Sequence, residues 1–62
     1  MATPERRIIL TALPNGYRVQ VIPPVEGEDL DADFPLYRKA RGWAGGLRLS
    51  RGWRLIDQTE WA

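Results

Sequence analysis

Leu13-Pro14-Asn15-Gly16 stands between two runs of strand-forming residues, and no other feature of the sequence narrows the fold so far. Before it, Arg7-Ile8-Ile9-Leu10-Thr11-Ala12-Leu13 is apolar on both faces, the pattern of a strand with neighbours on either side. After it, Tyr17-Arg18-Val19-Gln20-Val21 alternates strictly, so Tyr17, Val19 and Val21 share one face. Asn-Gly tolerates positive φ at both central positions of a tight turn, which predicts a β-hairpin over residues 7–22. Pro14 caps the first strand and is able to lengthen the loop. The second strand stops at Pro23-Pro24, which cannot donate to a ladder.

Residues 23–33 read as an acidic connection: Glu26, Glu28, Asp29, Asp31 and Asp33 crowd one short segment that offers only Leu30 for burial. An exposed, mobile loop is expected there. Residues 35–51 read as a helix. Asp33 is placed to cap it, Pro35 fits its first turn, and Leu36, Ala40, Trp43, Ala44 and Leu47 form one apolar stripe. Gly52 is a natural stop. Gly42, Gly45 and Gly46 each cost about 1 kcal/mol relative to alanine, a loss offset if the helix lies very close to the sheet. The competing reading turns the chain at Gly45-Gly46, makes Leu47-Arg48-Leu49 a strand and gives a small all-β barrel. Residues 53–58 read as a last strand. The expected fold is therefore a single α+β domain of ββαβ type over residues 1–62, an N-terminal β-hairpin plus one helix packed on a three-stranded sheet. Residues 1–5 form a flexible N-terminus and 59–62 an unassigned tail.

Phe34-Pro-Leu-Tyr-Arg-Lys-Ala40, a small-residue helix with Ala44, and Gly52-Trp-Arg-Leu-Ile-Asp57 after Tyr17-Arg-Val-Gln-Val21 resemble the small uncharacterised bacterial ββαβ domains of the DUF2188 type. The resemblance covers about two-thirds of the chain and implies the fold alone, because that family has no established activity to carry over. The longer acidic loop and the glycine-rich helix depart from its pattern.

The composition removes most chemistry. With no cysteine and no histidine there is no disulfide, no thiolate nucleophile, no imidazole relay and no Cys- or His-built metal site. No phosphate-cradling or nucleophile-elbow motif occurs, and no register of the acidic loop meets the spacing of a calcium-binding loop. No enzyme activity, cofactor or metal is expected. Ile8-Ile9-Leu10 is too short for the core of a signal peptide, and no run is long enough to span a membrane, so the expected location is cytoplasmic.

The formal net charge of +1 conceals a segregation. Against the acidic segment stand Arg38, Lys39, Arg41, Arg48, Arg51 and Arg54, with no acid between them. Such asymmetry points to a charged partner, or to neutralisation of one segment by the other. Tyr37, Arg41 and Arg48 fall on one flank of the helix, with Arg38 further round. Trp43 belongs to the core stripe, whereas Trp53 and Trp61 flank the last strand and exceed what so small a core encloses. The sheet face away from the helix presents Ile9, Thr11, Leu13, Arg18, Gln20 and Ile22, an apolar patch that small domains hide by association. The expectation is a small non-enzymatic interaction or regulatory module acting as a homodimer, of the kind bacterial or phage accessory proteins represent. Its protein-interface candidates are Trp53, Trp61, Arg41, Arg48 and Arg51. The alternative is a nucleic-acid-binding module with Arg38, Arg41, Arg48, Arg51 and Arg54 on phosphates.

Overall fold

In the computed structural model, which describes residues 5–59, the hairpin forms from β1 (Arg7–Leu13) and β2 (Gly16–Ile22). The start of the expected flexible N-terminus, the end of the tail and Trp61 lie outside the described residues. Leu13 pairs with Gly16, so the connecting residues are Pro14 and Asn15. Neither has positive φ, and Gly16 is already the first residue of β2. The turn is therefore not the primed type that Asn-Gly suggests. Gly16 is required for a different reason: a Cβ built on it lies 2.5 Å from the Phe34 carbonyl oxygen, closer than any side chain permits.

The α+β class, the hairpin, the helix and the closing strand are as expected, and α1 (Tyr37–Arg51) replaces the all-β alternative. The sheet has four strands where three are expected. The additional strand, β3 (Ala32–Phe34), pairs antiparallel with β2, and β4 (Arg54–Asp57) pairs parallel with β1. The order is β3-β2-β1-β4, which puts β1, apolar on both faces, in the interior.

One face of this sheet packs against α1. Ile8, Leu10, Val19 and Val21 meet Ala40, Ala44 and Leu47 in a core with no buried polar or charged side chain among the described residues. The stripe read from the sequence is correct at its centre and too wide at its margins. Leu36 is 44% and Trp43 40% exposed, so neither belongs to the core. Small residues in the middle of the stripe bring the helix backbone towards the strands, while Trp43 leans over Phe34 at the sheet margin.

The helix begins later than expected. Leu36, extended at φ −121°, is its N-cap without any side-chain cap bond, and no acid occupies the first turn. Asp33 does not cap; it lies on β3. The C-terminus is better made: Gly52, at φ 73°, donates its N–H to the Arg48 carbonyl at 2.9 Å, and Arg48 and Arg51 occupy the negative end of the helix dipole. The glycines are not at a close helix–sheet contact. A Cβ on Gly42 or Gly46 would meet open space, and one on Gly45 would touch only the Arg41 side chain.

Candidate functional site

The acidic connection is not a free loop. Val25 and Leu30 pack on the core, and the backbone between them and β3 is held by side chains. Val21 N–H donates to Asp31 Oδ1 at 2.9 Å, continuing the edge of β2 where β3 has ended. Trp43 Nε1–H donates to the Leu30 carbonyl at 2.9 Å. Arg6 donates to the Pro23 carbonyl at 3.1 Å, and Arg51 forms a forked pair with Glu28 at 2.9 and 3.3 Å. Both arginines also approach the Trp53 ring, with guanidinium carbons 5.8 and 5.5 Å from its centroid. Trp53 and Arg51, both interface candidates from the sequence, are thus engaged within the monomer.

Among the described residues, neutralisation of one segment by the other is limited to that Arg51–Glu28 pair. A second pair, Arg18–Asp33 at 2.9 and 3.1 Å, clasps β2 to β3 across the register Arg18↔Asp33. Hydrogen bonding to Arg51, then its charge, holds the Glu28 carboxyl below the usual range. Hydrogen bonding to Arg18 does the same for Asp33 against a smaller burial cost. Burial would raise Asp57, but bonds from Thr59 and Tyr37 and the nearby Arg41 charge outweigh it and hold this carboxyl low as well.

All three shifts act in one direction. A carboxyl depressed in the fold adds stability that is complete above its unfolded value and lost as pH falls towards the folded one. The unfolding temperature is therefore expected to be flat near neutrality and to fall in acid, once pH drops below the ordinary values of 4.5 and 3.8. Thermal scans from pH 7 to 2 check this. An acid limb unchanged when Glu28, Asp33 and Asp57 are all converted to their amides contradicts it.

The remaining cations define the candidate site. Among the described residues Arg7, Arg38, Lys39, Arg41, Arg48 and Arg54 are not ion-paired. Arg54 is not a helix residue: it opens β4, beside Arg7 in the parallel register, and both point away from α1. On the helix side, Tyr37 donates to Asp57 Oδ2 at 2.6 Å and Arg41 is close enough to act on the same carboxylate. This fixes the Tyr37–Arg41 flank of α1 over β4. Arg48, two turns beyond Arg41, continues that flank. The outer edge of β4, with no strand beyond it among the described residues, therefore runs between cations on both faces: Arg41 and Arg48 above, Arg54 and Arg7 below. Arg38 lies further round the helix.

The opposite edge has the other sign. β3 follows Asp29 and Asp31 and contains Asp33, with Glu26 and Glu28 upstream and no cation in the segment. The open face between the edges carries Ile9 beside Ile56, with Ile22 44% exposed at its end. Sequence reasoning placed Ile9, Thr11, Leu13, Arg18, Gln20 and Ile22 there, and the register agrees. It missed Arg7, whose proximity to Arg54 follows only from the parallel pairing of β1 with β4.

A shallow cleft of about 450 Å³ lies between the hairpin turn and the β3–α1 junction, lined chiefly by Leu13, Pro14, Tyr17, Phe34 and Pro35. Its one carboxylate, Asp33, is engaged by Arg18. No group of three potential metal ligands converges among the described residues, and no helix there is long and apolar enough to cross a membrane. Compared with protein-family models, curated proteins and solved structures, the chain matches none.

Proposed function

We propose that this chain is a small cytoplasmic, non-enzymatic interaction module whose binding surface is the outer edge of β4. The observation that supports this is the unpaired strand edge with Arg41 and Arg48 on one side and Arg7 and Arg54 on the other, none of them ion-paired among the described residues. An edge strand offers backbone donors and acceptors to an extended segment. Flanking arginines add a preference for carboxylates, which they bind in a forked geometry. The fitting partner is an acidic, extended polypeptide segment.

The test is a fluorescence-anisotropy titration with a labelled synthetic peptide alternating Glu and Val, beside its Lys–Val counterpart. The acidic peptide is expected to bind, at least tenfold more weakly at 0.5 M than at 0.05 M salt, and Arg54→Glu is expected to reduce its binding further. Equal binding of the two peptides, or none, overturns the reading. Nucleic acid as the partner would use Arg38, Arg41, Arg48 and Arg54, since Arg51 is committed to Glu28. These cations are spread over helix, edge and open face, which favours the strand reading. Retardation of RNA or DNA at low salt, without peptide binding, would reverse that choice.

A further inference from the structure

We infer that the acidic segment received by the β4 edge is the β3 edge of a second copy of this chain, so that copies associate head to tail. This rests on the reading of β4 as a strand-accepting edge.

Among the described residues the sheet ends on two edges, β3 and β4, that are opposite in charge. β4 lies among Arg41, Arg48, Arg54 and Arg7, while β3 closes the segment that holds Glu26, Asp29 and Asp31 besides Glu28 and Asp33, which are ion-paired within the chain. Charge on an edge ordinarily prevents strand pairing between copies. Here it prevents like from meeting like. A two-fold contact through β4 sets arginines against arginines, and one through β3 sets carboxylates against carboxylates. The junction of β4 with β3 is the one the charges permit.

Strand direction agrees. β2 runs antiparallel to β1, β3 antiparallel to β2, and β4 parallel to β1, so β3 and β4 point the same way. A second copy laid beside the first without inversion sets its β3 parallel to β4 and continues the sheet with every helix on one face. A heterologous contact of this kind does not close on itself by symmetry and grows into rings or open chains. Because three residues of β3 would meet four of β4, the junction is small and the association weak.

Two variants separate this arrangement from a two-fold dimer. Arg48→Glu with Arg54→Glu disables the basic edge and leaves β3 intact. Glu26→Lys with Asp29→Lys reverses two of the three carboxylates of the acidic segment, Glu26, Asp29 and Asp31, that are not ion-paired among the described residues. All four positions are exposed and lie outside the ion pairs that hold the fold, and far-ultraviolet circular dichroism verifies folding. Sedimentation equilibrium at low salt is expected to show the natural chain growing past twice 7.1 kDa with concentration and each variant remaining monomeric. An equimolar mixture of the variants forms a one-to-one complex at least tenfold tighter than either self-association, because one intact junction remains. A mixture that stays monomeric, or a basic-edge-intact variant that dimerises alone, overturns head-to-tail association. If the Glu–Val peptide still binds, the failure falls on the second copy as partner; if the peptide fails too, it falls on the β4 edge itself.

Discussion

Truncating Leu10 to alanine is expected to cost about 2–5 kcal/mol, most of what a chain of this size has. Native stability of roughly 0.05–0.15 kcal/mol per residue gives 62 residues only about 3–9 kcal/mol. Leu10 has no exposed surface and sits on the strand that is paired on both sides. Of the three largest fully buried side chains, Ile8, Leu10 and Val19, two lie on β1. The residues opposite, Ala40 and Ala44, are too short to fill the space a truncated leucine leaves. Urea unfolding checks the result, with Leu49→Ala as the control. Leu49 is 82% exposed, and its truncation is expected to change stability by less than about 0.5 kcal/mol. Equal effects at the two positions would mean that the helix does not cover β1.

Gly16→Ala is expected to destabilise by about 1–3 kcal/mol, although the substitution is a single methyl group on a hairpin. The new Cβ would lie 2.5 Å from the Phe34 carbonyl oxygen and 3.4 Å from the Phe34 carbonyl carbon and Pro35 Cα. All three are backbone atoms, so no side chain can rotate to make room. β3 and the start of α1 must retreat, and with them the Arg18–Asp33 clasp. Hydrogen exchange is therefore expected to accelerate over residues 32–34 before it does over β1. A variant as stable as the natural chain, with unchanged exchange at β3, contradicts the close approach.

Gly16 also shows how far local sequence reached. The hairpin was legible because its two strands are written in alternation and β-branching, which are local signals. The turn type was not: Pro14 fixes its own φ and takes a central turn position, which leaves glycine to answer a contact made with a residue 18 positions later. β3 was invisible for a related reason. Ala-Asp-Phe carries no strand pattern, and what orders it comes from elsewhere: Arg18 across the register, and Trp43 and Val21 holding Leu30 and Asp31 just upstream. The helix stripe was legible at Ala40, Ala44 and Leu47. It failed at Leu36 and Trp43, because small central residues let the helix settle with its margins in solvent. At the candidate site the sequence supplied Arg41, Arg48 and Arg54 as one basic run. Only the parallel pairing of β4 separates Arg54 from the helix and sets it with Arg7 below the same strand edge.

The three glycines of α1 bear on where the helix gets its stability. Together they cost the helix about 3 kcal/mol relative to alanine, and its N-terminus lacks a side-chain cap. A helix of 15 residues is marginal in water even with good helix formers. This one cannot act as a seed. Its stability comes from packing on the hairpin face of Ile8, Leu10, Val19 and Val21 and not from its own propensity. The parallel pairing of β4 with β1 spans the whole helix in sequence, so the contacts that hold this fold together are long-range although helix is the longest described element.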